Sequence, residues 1–526
     1  MHVSTADRTK KQWMALAAQA EEEGDHAGAE QALLRARAMD AGDDIIVIRL
    51  FRVLMNLGRP EAAQALAEAR LAAGPVPPRL ATQYILSDFQ SYAVAHCLPD
   101  VQAKLALYPR GFAIRARASL AYAWHGQVET ALSHARAAIA GSGTVETADM
   151  VRSALARRIF YLGHVEAADR ICRMGRLGVG READILYERL TTRTRNAAND
   201  DTTRRLFRRL LAMDDLPRRA AVVAQHVDFH WRLDGPSSDL LAEIEAQLGV
   251  GGDARDGRLH LMKIALAMQL GERDVALATL RARPDLWKKA SACLPVAKLV
   301  HDHDLGGGGS DADVIAYAGL FDALGRSEDV LRERLGDPAR SCAVVGNSSC
   351  EMGRGNGARI DAHDDVVRFN RFRTDPPFDR DYGAKTTVLV RAGNDRPEIG
   401  VNIPPRTLIL ISSGSIAYRG RAWQASRRLQ EQGHILTVFP PRFHAELSRK
   451  LVASPSSGLS FVYLMKALRG TLRRQDYFGF AFVDQIGEQA KSAHYFEQVK
   501  PSTMHKWDKE LEMFDSLFAG EDAVRG

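Results

Sequence analysis

The feature that most limits what this chain can fold into is a short apolar run, Cys342-Ala343-Val344-Val345, stopped at once by Gly346-Asn347-Ser348-Ser349. An apolar run of this length, cut off by small polar residues, reads as a buried parallel strand ending in a tight turn. In open α/β sheets that strand end is where ligands sit, because backbone N–H groups and short side chains converge there. Twenty residues on, Val366-Val367-Arg368-Phe369-Asn370 forms a second apolar and polar knot. The two segments are expected to wall one nucleotide pocket. The glycines at 353, 355 and 357 come too late after the strand for a dinucleotide fingerprint, and no Gly-Lys-Ser/Thr follows to make a phosphate-binding loop.

Ahead of this segment, residues 10 to about 300 are rich in Ala, Leu and Arg at helical spacing. A glycine followed by an alanine five residues later recurs as Gly24/Ala29, Gly58/Ala63, Gly126/Ala131, Gly163/Ala168 and Gly271/Ala276. The first interval is 34 residues and the second 68, the period of tetratricopeptide repeats. In a helical hairpin the glycine makes the turn and the alanine lets the helices approach. The register drifts afterwards, so the expectation is a tetratricopeptide-like α-solenoid with degenerate members over 1–305. Such scaffolds present a surface to proteins or peptides; equally, the helices could only pack on the C-terminal domain and solubilise it. The run Gly306-Gly307-Gly308-Gly309-Ser310 reads as a flexible break, with 306–338 as linker and connecting helix and 339–526 as a separate domain.

Beyond the pocket segment, 388–390, 408–411 and 434–439 read as short strands and 422–432 as a helix. Pro455-Ser456-Ser457-Gly458 then leads into an apolar helix, 460–468, whose N-terminus favours an anion. Two histidine clusters close the chain: His494-Tyr495-Phe496-Glu497, and His505 with Glu510 five residues later.

Taken in order, CAVVGNSS, IDAHDDVVRFN, DYGAKTT, PSSG, HYFE and H-x4-E resemble the motifs of the animal-type sialyltransferases, glycosyltransferase family 29. The resemblance implies a GT-A-like, Rossmann-type α/β glycosyltransferase domain behind the solenoid. It implies inverting, metal-independent transfer of sialic acid, or a related 2-keto sugar acid, from its CMP derivative to a glycan or glycolipid. By the same analogy His505 is the base that takes the acceptor proton, with Glu510 holding its ring, and His494 donates to the leaving phosphate. Asn347, Ser348 and Asn370 would read cytidine and phosphate, and Ser456, Ser457 and Gly458 would cradle the sugar or phosphate. No cofactor is implied. Three departures surround the donor sugar: Ser349 and Ser457 stand where the family has glycine and threonine, and Ser454 replaces an aromatic. CMP-Kdo therefore stands beside CMP-sialic acid as donor.

Net charge is +6, and from Arg340 onward there are 27 Lys+Arg against 21 Asp+Glu, so the whole excess lies in the C-terminal part. That suits an anionic ligand such as a nucleotide sugar, an acidic glycan or a lipid head group, with no nucleic acid expected; equally, it could be a solubility surplus on a solvated face. The animal enzymes carry an N-terminal membrane span; here no run of 18 apolar residues and no signal-peptide core is present, and a cytoplasmic protein is expected. Five scattered cysteines suggest reduced thiols, and the cysteine that the family pairs with the position of Cys342 has no counterpart near 468–472. A tetratricopeptide adaptor with an inactive nucleotide-binding domain is the alternative from another class. A nucleotide-dependent oxidoreductase is disfavoured by the misplaced glycines.

Overall fold

A computed structural model describes every residue except 1–7, 58, 73–79, 82, 85–93, 109–110, 176–181, 215, 217, 250–256, 393–402, 413–419, 482–493, 497–504 and 519–526. The chain packs as two compact units, Met1–Thr192 and Arg193–Gly526.

The first unit is helical throughout its described residues, and the glycine–alanine units explain how its helices turn. Gly24, Gly126 and Gly163, with Gly271 in the second unit, have φ of 77°, 76°, 90° and 81°. This left-handed conformation ends a helix without cost only for glycine. Behind each glycine, the next residue's N–H reaches back to the last helical turn: Asp25 to Ala20 O (2.8 Å), Gln127 to Tyr122 O (2.9 Å), His164 to Ile159 O (3.1 Å) and Glu272 to Ala267 O (2.8 Å). Arg59 makes the same bond to Leu54 O (2.9 Å), although Gly58 lies outside the described residues. The partner alanines 29, 63, 131, 168 and 276 are all at most 1% exposed. A larger side chain there would push the paired helices apart.

The second unit begins with more helices of the same kind, among them Arg219–Asp234, Ser238–Gly249, Gly257–Leu270, Leu294–Asp302 and Ala312–Gly325. Its six described strands, β1 (Cys342–Val345), β2 (Asp365–Phe369), β3 (Val388–Ala392), β4 (Leu408–Ser412), β5 (Ile435–Val438) and β6 (Tyr477–Phe478), form one sheet of order β5-β4-β3-β2-β1-β6. Every pairing is parallel. Strands step outward from β1 to β5, and β6 then returns to the other side of β1. The order reverses between β1 and β6, which puts the ligand crevice of such a sheet outside their carboxyl ends.

Strand residues divide between faces with a period of two. Val344, Val367, Val388, Val390, Leu408 and Leu410 face a core built with the helices Ser457–Arg469 and Trp507–Phe518. Leu389, Ile409, Ile411 and Leu436 face the opposite way, into a core that contains Leu294, Val296, Leu299, Val300, Tyr317 and Leu320 of the preceding helices. Ala343, Val345 and Val366 lie on that side as well but pack on Ile360, Tyr382 and Tyr495. The helical region thus supplies the covering layer over β3–β5.

The glycine run is no gap in this packing. Leu305–Ser310 forms a 3-10 turn with Gly306 and Gly307 at positive φ. Gly309 N–H donates to Asp304 Oδ1 (2.8 Å) and Gly309 O meets His301 Nδ1 (3.0 Å). A Cβ on Gly306 would stand 2.5 Å from the Trp287 ring. The glycines allow a tight, packed turn where composition alone suggests slack.

Two glycine substitutions should act in opposite directions. Gly126 has nothing within 4 Å of a would-be Cβ, so Gly126→Ala isolates the conformational cost, roughly 1–2 kcal/mol. Gly319, exposed inside Ala312–Gly325 and equally unobstructed, should gain about 0.5–1 kcal/mol on mutation to Ala. Denaturant midpoints of the two variants check this. A chain begun at residue 339 would bare Leu389, Ile409, Ile411 and Trp423 and should be recovered as aggregate, whereas one begun at 193 keeps its cover; soluble yield and near-UV circular dichroism distinguish them.

Candidate functional site

The site forms at the carboxyl edge of the sheet, and much of its polarity is spent on holding backbone in place. Gly346 N–H donates to Phe478 O (2.8 Å) and Ser348 N–H to Gly479 O (3.1 Å), so β1 and β6 stay paired past their ends. A Cβ on Gly346 would run into the Gly479 carbonyl, and one on Gly479 into that of Gly346. Only two glycines can lie back to back here. Glu351, 6% exposed, completes the junction: its Oε1 accepts from Gly479 N–H (3.1 Å) and its Oε2 from Asn356 Nδ2 (2.8 Å).

Asn347 directs its Nδ2 to Phe369 O and Arg371 O, both at 3.0 Å, tying the β1 turn to the end of β2. Its own carbonyl accepts from Tyr495 N–H (2.9 Å). Asn370 sits at φ 50°, a conformation asparagine tolerates better than most residues, and its Oδ1 accepts from Ala392 N–H (2.8 Å). Ser348 is buried; its Oγ accepts from Cys350 N–H (3.4 Å) and its carbonyl from Tyr382 Oη (2.6 Å). These three residues meet the crevice chiefly through the backbone they organise.

The carboxylates of the segment are spent likewise. Asp381 accepts from Gly353 N–H and Gly355 N–H, both 2.7 Å, which lowers its pKa below the ordinary carboxylate range. Asp361 accepts from Ala384 N–H (2.9 Å) and Lys385 N–H (2.9 Å), and Asp365 from Arg340 (3.0 Å).

The second half of the site is the N-terminus of Ser457–Arg469. Ser456 is its N-cap, accepting from Leu459 N–H (3.2 Å). Ser457 Oγ lies 2.8 Å from Ser412 Oγ, at the end of β4. A Cβ on Gly458 would be 3.1 Å from Phe480. Glu510, fully buried, accepts from Ser456 N–H (2.8 Å) and Ser456 Oγ (2.5 Å). Burial raises its pKa, while the nearby His505 and the two Ser456 bonds oppose that shift. His505 Nδ1 is 3.6 Å from Glu510 Oε1 but 2.9 Å from Ser454 O. The ring is therefore oriented by a backbone carbonyl, with Nδ1 as donor, which leaves Nε2 as the nitrogen that can accept a proton.

His494 stacks on Phe496, centroids 5.2 Å apart. Its neighbour Tyr495 fixes the segment: the ring stacks on Tyr382 at 3.8 Å, and Oη bonds to both Arg373 N (2.9 Å) and Arg373 O (2.6 Å). Glu497 lies outside the described residues. Contacts of Tyr495 with the turn after β1, with Arg373 and with Tyr382 therefore hold the segment of His494, and the Ser454 carbonyl ahead of the Ser457 helix holds His505. Sequence reasoning missed Glu351, Ser412, Tyr382 and the Ser454 carbonyl, and among them only Tyr382 lies inside a quoted motif.

Among the described residues no group of three or more His, Cys, Asp or Glu could hold a metal ion, and no helix is long and apolar enough to cross a membrane. Cys172, Cys293, Cys342 and Cys350 are free thiols; burial pushes Cys342 up to about 12.

An all-parallel, Rossmann-type sheet with polar side chains and turn backbone gathered at its carboxyl edge, following a helical-repeat region in the chain, is the class these observations define. Residues 316–394 match the model of glycosyltransferase family 29 (sialyltransferase), and residues 20–82 match a tetratricopeptide repeat model. Part of the C-terminal unit thus matches the family 29 model, over β1, β2 and β3 and the helix ahead of them. A "Sialyltransferase-like protein 2" of Oryza sativa subsp. indica is 50% identical over 54 residues, 10% of this chain and 13% of that protein. The human "CMP-N-acetylneuraminate-beta-galactosamide-alpha-2,3-sialyltransferase 1" is 30% identical over 135 residues, 24% of this chain and 39% of that one. The chain therefore spans well under half the length of either relative. A mammalian sialyltransferase crystallised with Gal-beta-1-3GalNAc-ortho-nitrophenol aligns at 23% identity over 34% of this chain and 65% of its own, with a TM-score of 0.25.

The raised pKa of Glu510 sets a pH signature. An acid that holds its proton more tightly when folded contributes most below its unfolded pKa, and that contribution is lost as pH climbs through the raised value. Glu510→Gln cannot titrate, so wild type should lose stability relative to this variant as pH rises above the ordinary glutamate value towards neutrality. Thermal unfolding of both proteins across that range checks the sign.

Proposed function

We propose that the C-terminal unit is an inverting, metal-independent glycosyltransferase that moves sialic acid, or the related Kdo, from its CMP derivative to a glycan or glycolipid acceptor. The observation that carries this reading is the setting of His505: Nδ1 donates to Ser454 O beside a helix N-terminus whose cap is clamped by buried Glu510. An imidazole held through Nδ1 on a backbone carbonyl, next to a helix end that favours anions, suits a base working beside a departing phosphate.

In this mechanism the acceptor hydroxyl approaches the anomeric carbon from the side opposite CMP. Its proton passes to His505 Nε2 as the new C–O bond forms. The bond from anomeric carbon to phosphate oxygen breaks, CMP leaves with the electron pair, and the configuration inverts. His494 donates to the leaving phosphate. The N–H groups of Ser457 and Gly458 face growing negative charge at the start of their helix. Asn347, Ser348 and Asn370 shape the nucleotide side through the β1 and β2 ends. The enzyme would work in the cytoplasm, with the helical repeats gripping a protein partner or the acceptor's carrier.

Incubation with CMP-sialic acid or CMP-Kdo and a panel of glycans should release CMP with at least one donor. His505→Ala should lower that turnover by roughly 10²–10⁴ while CMP still binds. A variant that keeps most of its turnover removes His505 from the base role, and no CMP release with either donor favours the adaptor reading.

A further inference from the structure

Arg368 is a buried cation whose partners are all neutral. The residue is 1% exposed. Its Nε donates to Lys385 O (3.0 Å) and Thr386 Oγ1 (3.1 Å), and its Nη2 to Tyr382 O and Gly383 O, both 2.9 Å. The guanidinium lies 5.3 Å from the centre of the Phe372 ring. Asp361, the carboxylate whose field reaches it, is itself turned to the N–H groups of Ala384 and Lys385. Burial lowers its pKa to about 10, which leaves it charged at neutral pH. Buried charges are ordinarily paired, and holding one among neutral groups is costly unless something else uses the charge.

Its place in the sheet shows what could use it. Arg368 is registered opposite Val345, the last residue of β1. Gly346 follows directly after β1, at the turn, and Asn370 follows directly after β2. The guanidinium is held by fixed dipoles of 382–386 that need no rearrangement when a ligand arrives, and Tyr382, which accepts from it through its carbonyl, reaches the turn with Oη on Ser348 O (2.6 Å).

We propose that Arg368 is a specificity-determining residue that gives the crevice its preference for a phosphate-bearing over a neutral nucleoside ligand. It acts through its field and not by contact. This rests on the CMP-sugar reading of the same crevice. Calorimetric titration of wild type, Arg368→Lys and Arg368→Met with CMP and with cytidine tests it. Arg368→Met should weaken CMP binding by roughly tenfold, the effect of a unit charge about 10 Å away at an effective dielectric of about 20, and leave cytidine binding unchanged. Arg368→Lys, which keeps the charge, should retain most of the CMP preference. Should the Met variant fail to fold, Arg368→Gln, which keeps donors for the carbonyls, supplies the same comparison. Equal weakening of both ligands, or an unaltered preference in the uncharged variant, makes Arg368 a scaffold and overturns the proposal. Wild type that binds no CMP at all defeats the CMP-sugar reading instead, a separate and recognisable result.

Discussion

A parallel sheet built from strands of two to five residues cannot stand with one face in water, and the C-terminal unit is arranged around that constraint. One face is closed by the Ser457 and Trp507 helices, the other partly by a small aromatic cluster and partly by helices that precede the first strand. Ile409 and Ile411 of β4 and Leu389 of β3 share their core with Leu294, Leu299 and Leu320. Polar links follow the same route: Val438 N–H donates to Ser327 Oγ at 2.9 Å, and Arg427 pairs with Asp313 at 2.6 Å. The later helices of the repeat-like region are therefore part of the α/β fold's own core.

Within the crevice the division of labour is unusual in its economy of exposed chemistry. Asn347, Asn370, Asp361, Asp381 and Glu351 would each look like a ligand-reading residue from type and position. Each instead accepts from or donates to backbone of a neighbouring segment. Their joint effect is to fix the shape of one turn, so that N–H groups and a few side chains sit correctly without rearranging. A binding surface made of held backbone loses little entropy when a ligand arrives.

The sequence was readable where the physics is local. A left-handed glycine and the alanine five residues on belong to one hairpin, so the unit shows up as spacing, and the structure gives each occurrence the same backbone bond. Short apolar runs marked β1, β3, β4 and β5 for a similar reason, whereas β2 was read only as a wall of the pocket. What could not be read were partnerships with distant or backbone atoms. Glu351 meets Gly479, His505 meets the carbonyl of Ser454, and Ser457 meets Ser412, pairs that no local pattern encodes. The glycine run at 306–309 misled because composition reports what a chain can do when free, whereas Trp287 and Asp304 determine what it does when packed. The extent of the α/β core was hidden too, since amphipathic helices do not announce which surface they will cover.

The back-to-back glycines at 346 and 479 bear on how such a pocket can diversify. With each position facing the other's carbonyl oxygen, neither can acquire a side chain unless the two strands separate. The floor of the cleft is thus frozen in composition. Selection for another sugar has to work on the walls, at the loop from Ser454 to Ser457 and at the end of β4, where substitution leaves the strand pairing untouched.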